Sequence, residues 1–229
     1  LHALRRAHAP ASLVYASTSG VYGDCQGQLV IETRAPQADT ARARRRLDAE
    51  NAVRRFAIKN RANHAGTASA SGRFDAKNAV PRPNRPAGRP RCSILRIPGI
   101  YAPDRVGGTP RQRLQHGIPA LLAADDVYTN HIHADDLARA CLLALWRGQA
   151  QRIVNISDDT QLKMGDYFDL AADLYGLARP PRLSRAELAR QVSPLLLSFM
   201  SESRRLDNTR LKRELGLRLR HASVAQGLR

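Results

Sequence analysis

Val14-Tyr15-Ala16-Ser17-Thr18-Ser19-Gly20-Val21-Tyr22-Gly23 is the stretch on which the reading of the fold turns. Its first half belongs to the apolar, β-branched and aromatic run Ser12 to Ser17, which reads as a buried strand. Its second half is a hydroxyl and glycine cluster, which reads as the loop that receives this strand. Hydroxyls at the carboxyl end of a parallel strand lie where open α/β sheets bind ligands, and a Ser or Thr there can polarise a substrate carbonyl or hydroxyl. The same composition also serves a turn that satisfies its own backbone. The rest of the chain decides between the two.

Downstream, Asp39 or Thr40 caps a helix over Ala41 to Ile58, with Leu47, Ala49, Val53, Phe56 and Ala57 on its apolar side. From Asn60 to Arg91 the chain is rich in Gly, Ala, Ser, Asn and Arg and carries Pro81, Pro83, Pro86 and Pro90. It lacks the apolar periodicity to offset its ordering entropy and reads as a flexible insertion. Ser93 to Ile97 is a strand that stops at Pro98-Gly99, and a second turn follows at Pro103-Asp104. Asp135 caps an amphipathic helix with Leu137, Ala138, Cys141, Leu142, Leu145 and Trp146 on one side, closed by Gly148. Arg152 to Ile156 is another strand. Helices follow at Met164 to Tyr175, Arg185 to Gln191, Pro194 to Met200 and Asn208 to Leu215, with Gly176 and Gly216 as stops. Strand, helix, strand, helix, strand and a helical tail describe an α/β sheet with an appended lobe.

The 229 residues suffice for one good-sized domain, and 43% hydrophobic with 25% charged residues is ordinary globular composition. Thirty-seven Lys and Arg against 20 Asp and Glu give a formal charge of +17. The excess is nearly all arginine, the only lysines being Lys59, Lys77, Lys163 and Lys212, and it reads as the codon bias of a GC-rich bacterial genome. It comes with neither a recognition fold nor interleaved aromatics, so no specific nucleic acid is expected. Cys25, Cys92 and Cys141 form no CxxC pair and frame neither a disulfide scaffold nor a zinc site, which fits a reducing cytoplasm. The apolar runs around Leu142 to Trp146 and Leu195 to Met200 fall far short of the ~18 residues of a membrane span, so no membrane partner is expected.

Three later segments, in order, accompany the first: Leu95-Arg96-Ile97-Pro98-Gly99-Ile100-Tyr101-Ala102-Pro103, Tyr128-Thr129-Asn130-His131-Ile132-His133-Ala134-Asp135-Asp136-Leu137-Ala138, and Val154-Asn155-Ile156-Ser157-Asp158-Asp159. The series resembles the extended short-chain dehydrogenase/reductase family, the NAD-dependent epimerases and dehydratases of nucleotide sugars. The resemblance spans nearly the whole chain except Asn60 to Arg91. It implies an incomplete doubly wound, Rossmann-like parallel sheet over 1–59 and 92–162, interrupted by the insertion 60–91, with a small, mostly helical substrate lobe over 163–229. It implies NAD or NADP as cofactor and a nucleotide sugar or related carbonyl or hydroxyl compound as small-molecule substrate. A homodimer paired through helices of the sheet is common for such a fold.

By the same resemblance Thr18 matches the catalytic Ser/Thr, and Ser17 lies beside it against the cofactor. Pro98, Gly99 and Ile100 match the turn that packs on the nicotinamide, while Ser19, Tyr101 and Asn130 face the substrate. The family's Tyr-x-x-x-Lys pair has no counterpart. Counting back from Glu50 puts Arg42 and Arg46 at its positions, and a shifted register puts Thr40 and Arg44 there. Neither holds a tyrosine. Arg46 could bind a ribose hydroxyl or phosphate, but a guanidinium stays protonated and makes a poor base. Tyr22 is the nearest phenol and the remaining candidate base. The family's glycine-rich phosphate loop is also absent, with no GxGxxG anywhere. Together with the start at Leu1, this gives the expectation of an amino-terminally truncated chain that lacks its first ~80 residues, with impaired catalysis and poor NAD(P) binding. The alternative is a non-catalytic NAD(P)-binding sensor or interaction protein. His131 and His133 point the same way on a strand near Asp135 and Asp136, but no third ligand of suitable spacing is visible, and no metal is expected.

Overall fold

A computed structural model describes residues 12–65 and 91–229. The sheet is built from β1 (Ser12–Thr18), then α1 (Ala41–Ala65), β2 (Arg91–Ile97), β3 (Gly99–Tyr101), β4 (His131–His133), α2 (Ala134–Arg147), β5 (Ile153–Asn155) and α3 (Met164–Tyr175). β1, β2 and β5 form a parallel sheet in the order β1-β2-β5, with Ser17 beside Arg96 and Ile94 beside Ile153. Every residue of β2 from Cys92 to Ile97 is buried, the signature of a central parallel strand covered on both faces. On one face Val53, Phe56 and Ala57 of α1 pack with Cys92, Leu13 and Tyr15. On the other, Ala140 and Ala144 of α2 pack with Leu95, Ile97, Val154 and Ile156. Helices on both faces of a parallel sheet make the fold α/β and doubly wound, here an incomplete Rossmann-like sheet. β3 and β4 pair in parallel just past the sheet's carboxyl ends, Gly99 beside His131.

The carboxyl-terminal region is smaller and mostly helical: α3, Arg185–Gln191, Pro194–Phe199, Thr209–Arg213 and Val224–Gly227. Tyr167, Phe168, Ala171 and Ala172 of α3 pack with Tyr101, Leu114, Val224 and Leu228, which ties this region to β3. Burying each of these larger apolar side chains is worth ~1.5–3 kcal/mol.

A polar network is buried between sheet and α1. Glu50 accepts from Arg96 Nε at 3.1 Å, from Arg96 Nη2 at 2.8 Å and from Ser17 Oγ at 2.6 Å. Arg96 also lies on the Tyr22 ring, 4.5 Å from its centroid. The Asn155 Nδ2 group donates to the Val30 and Asp207 carbonyls, pinning two loops to the end of β5.

Several sequence-based boundaries shift. β1 and β2 are longer than expected, running to Thr18 and starting at Arg91, while β5 is shorter. α1 continues to Ala65, past the expected end at Ile58 and into the range read as an insertion. Residues 66–90 of that range lie outside the described residues. The cap of α1 is Thr40, whose Oγ1 accepts the Ala43 N–H at 3.1 Å. The cap of α2 is His133 rather than Asp135: its Nδ1 accepts the Asp135 N–H at 3.2 Å, and Asp135 sits in the first turn. Of the apolar side expected of α2 only Leu137 and Cys141 pack partly buried, because Ala140 and Ala144 are the residues buried and Ala138, Leu142, Leu145 and Trp146 are exposed. Gly148 does close α2, but through close approach and not through a left-handed φ. A Cβ there would strike Ser93 Oγ and the Ala144 carbonyl oxygen.

Candidate functional site

A cavity of about 240 Å³ opens where β1 and β2 end. Thr18, Ser19 and Gly20 supply one wall, Pro98 and Gly99 the next, and Tyr128, Thr129 and Asn130 a third. Arg42 of α1 and Met164, Phe199, Glu202 and Arg204 of the carboxyl-terminal region complete it. It therefore lies outside the carboxyl ends of the strands, between sheet and smaller lobe, where a doubly wound fold binds ligands. A larger cavity of about 580 Å³ opens by the start of β5, against Arg152 and Ile153. Much of its cationic wall is already paired, Arg152 with Glu214 and Arg210 with Glu32.

Period-2 alternation sends the hydroxyls of Ser17 and Thr18 to opposite sides, so only one of the two reaches the cavity. Thr18 faces it and caps the 3₁₀ turn Ser19–Tyr22, its Oγ1 accepting the Gly20 N–H at 3.2 Å. That bond uses a lone pair and leaves the hydroxyl proton able to donate into the cavity. Ser17 faces the other side and gives its proton to Glu50, so the expected contact with a cofactor is corrected: the group is spent in the buried network. Ser19 reaches the cavity.

Of the two arginines counted onto the Tyr-x-x-x-Lys positions, Arg42 lines the cavity, its guanidinium 4.5 Å from the Phe199 ring centroid. Arg46, the other, is exposed on α1 and takes no part in the lining of this cavity. Tyr22 is corrected too. It has no exposed surface, donates its O–H to Asn155 Oδ1 at 2.8 Å, and burial raises its pKa, so it supports the floor and has no access to a substrate proton. Pro98 and Gly99 line the cavity, whereas Ile100, 38% exposed, does not. Tyr101 is likewise not on the substrate side. It is 2% exposed, its hydroxyl is shared between Asp158 Oδ2 at 3.5 Å and the Ser223 carbonyl at 3.4 Å, and burial pushes its pKa up. Asn130 does line the cavity, but its amide is engaged: Nδ2 donates to the Arg204 carbonyl at 2.9 Å and Oδ1 accepts the Leu206 N–H at 2.8 Å.

That clamp explains how residues beyond 198 reach the site. Asn130 fixes Arg204 to Leu206, the strand Arg205–Leu206 pairs with Leu29–Val30, and Arg204 Nη1 is held by the Gly23 carbonyl at 2.6 Å and Glu202 Oε2 at 2.8 Å. The Arg204 Nε is buried and has no partner. Sequence reasoning missed Tyr128, Met164, Phe199, Glu202 and Arg204, because the 128–163 strand pair places the first two and pairing across nearly two hundred residues places the segment of Glu202 and Arg204, and no local pattern marks either. His131 is buried and stacked on Tyr167 with centroids 4.2 Å apart, and burial lowers its pKa to about 4, so it stays neutral.

No family model and no curated protein matches the sequence. Solved structures do match. A functionally unknown conserved protein from Silicibacter pomeroyi shares 29% identity with a TM-score of 0.75, over 100% of this chain and 70% of that one. A nucleoside-diphosphate-sugar epimerase from Pseudomonas aeruginosa matches at 19% identity and TM-score 0.71, over 99% of this chain and 67% of that one. The structure of RMD from Pseudomonas aeruginosa complexed with NADPH matches at 16% identity and TM-score 0.68, over 100% of this chain and 67% of that one. The chain thus spans about two thirds of the length of these proteins and shares their fold. Among the described residues no helix is long and apolar enough to cross a membrane.

Proposed function

We propose that the cavity is the nicotinamide and substrate end of an NAD(P)-dependent oxidoreductase of epimerase/dehydratase type, acting on a nucleotide sugar or a related carbonyl or hydroxyl compound. The observation that carries this reading is Thr18, a hydroxyl with a proton to donate at the carboxyl end of β1, sharing one cavity with the Pro98-Gly99 turn. The size of the cavity suits the nicotinamide end of the cofactor and not a whole dinucleotide. The sequence offers no glycine-rich loop for the pyrophosphate. Thr18, Pro98 and Gly99 would hold that end, and bound NAD(P) would supply the hydride acceptor or donor.

In this reading Thr18 donates a hydrogen bond to the substrate oxygen at the reacting carbon. Arg42 and Arg204 keep their charge at any working pH and stabilise negative charge beside it. Phe199 and Met164 exclude water, with residues 163–229 acting as the substrate lobe. The titratable groups of the cavity besides arginine are Glu202, held by Arg204, and Tyr128. We assign proton transfer to Tyr128 in place of Tyr22 and Arg46. A second reading, a non-catalytic NAD(P)-binding protein, is favoured by Arg42 standing at a position counted for the family's tyrosine.

NAD(P)H absorbance followed against a panel of nucleotide sugars separates the two. Turnover that falls ~10²–10³-fold in Thr18→Ala, persists in Thr18→Ser and is lost in Tyr128→Phe supports the enzyme. Cofactor binding without turnover supports the second reading.

A further inference from the structure

We propose that His133, Asp135 and His221 form a binding site for a divalent transition-metal ion of the zinc type, which clips the carboxyl-terminal segment to the β4–α2 junction. One ligand atom from each lies within 4.8 Å of the others. The sequence reading set metal aside for want of a third ligand near His131 and His133. The fold replaces His131, stacked away on Tyr167, with His221 from the far end of the chain.

The arrangement is built rather than incidental. His133 is 6% exposed at the end of β4, with the Tyr101 ring edge-on to it at 5.3 Å. His221 is placed through its backbone. The fully buried carboxylate of Asp136 accepts the Arg220 N–H at 3.0 Å and the His221 N–H at 2.9 Å, and Arg139 Nη1 donates to it at 2.7 Å. The two imidazoles consequently lie against each other, ring centroids 3.8 Å apart, and a shared tetrahedral ion requires one ring to turn until the centroids stand roughly 5 Å apart. Asp135 needs no anchoring. Its side chain is 63% exposed, and Oδ2 already stands 4.0 Å from His133 Nδ1. Tetrahedral bonds of ~2.1 Å require donors roughly 3.4 Å apart, so rotation of Asp135 and of one imidazole has to close the present spread of up to 4.8 Å. His133 Nδ1 now accepts the long N–H bond from Asp135, and the ion takes that lone pair in its place.

Two imidazoles and one carboxylate suit zinc, cobalt or nickel, not magnesium or calcium, and three protein ligands leave a fourth position to water. The overall positive charge does not oppose this, because exposed charges beyond a Debye length of ~8 Å are screened. The acids that act on His133 are Asp104, Asp135 and Asp136. None of the three ligands lines the cavity at the strand ends, so this site stands independently of the function proposed above.

The test is titration of the chelator-stripped full chain with Zn²⁺ by calorimetry, and with Co²⁺ by d–d absorption. The expected result is one ion per chain with an intense four-coordinate Co²⁺ spectrum. Affinity should fall at least about tenfold in both His221→Ala and Asp135→Asn, and stay unchanged in His116→Ala, an exposed histidine outside the cluster. Thermal melting monitors the fold, and Asp135→Asn, a surface change, decides the matter if His221→Ala melts early. Failure of the wild-type chain to bind, binding untouched by Asp135→Asn, or equal loss in His116→Ala would overturn the site.

Discussion

Ser17 and Thr18 are neighbours in the chain whose hydroxyls serve opposite sides of the sheet: Ser17 donates to the buried Glu50 at 2.6 Å, while Thr18 opens onto the cavity. One half of this pair builds the floor and the other lines the cavity above it. Glu50 holds Ser17 and Arg96 at once, so the network that orients the end of β1 also neutralises a guanidinium with 2% of its side chain exposed.

Removing Glu50 therefore strands a buried charge. Glu50→Ala should destabilise the fold by ~3–5 kcal/mol, measured by chemical denaturation. Tyr22→Phe, which only deprives Asn155 Oδ1 of its donor, should cost about 1–3 kcal/mol. A loss under ~1 kcal/mol for Glu50→Ala would mean that the network is not closed as described.

Gly23 ends the decisive stretch at φ +66°, and a Cβ there would run into the Gln37 carbonyl oxygen. Gly23→Ala meets both a left-handed backbone penalty of ~1–2 kcal/mol and a backbone clash. A lowering of stability by about 2 kcal/mol or more is expected in thermal melts. A neutral effect would show that the Gly23 to Gln37 approach is loose.

Burial sets two opposing pH dependences. Asp158 has its pKa raised from 3.8 to about 7, so the folded state holds a proton that the unfolded chain has released, and stability falls as pH rises through that window. His131 has its pKa lowered from 6.5 to about 4, so the unfolded chain takes up a proton that the folded state refuses, and stability falls as pH drops through that window. Asp158→Asn should remove the first slope, so that its stability relative to wild type improves steadily between pH 4 and 7. Denaturant midpoints at intervals across that range check this, and a pH-independent difference would contradict it.

Much of this was legible in local sequence. The hydroxyl cluster after an apolar run marked the end of β1, the Pro98-Gly99 stop marked the end of β2, the family resemblance singled out Thr18 and that turn, and α3 ended at Gly176 with φ +62°, as its glycine required. What local pattern could not carry was direction and distance. Alternation says that Ser17 and Thr18 part company but not which of them meets the ligand, because that depends on where α1 lays Glu50. Tyr22 and Tyr101 look available as phenols in the sequence. Both are spent on buried hydrogen bonds to groups 133 and 57 residues away. Arg204 and His221 reach their places through clamps by Asn130 and Asp136, side chains whose own neighbourhoods in sequence point elsewhere.

The central claim is that the nicotinamide end of NAD(P) sits against Thr18, Pro98 and Gly99. Saturation-transfer NMR with NADH or NADPH on this chain tests it most directly, since it reads weak binding and distinguishes the two ends of the ligand. The account predicts transfer to the nicotinamide ring protons well above that to adenine, an affinity weaker than micromolar for lack of a phosphate loop, and loss of the nicotinamide signal in Thr18→Val. Transfer confined to adenine, or nicotinamide transfer unaffected by Thr18→Val, would contradict it.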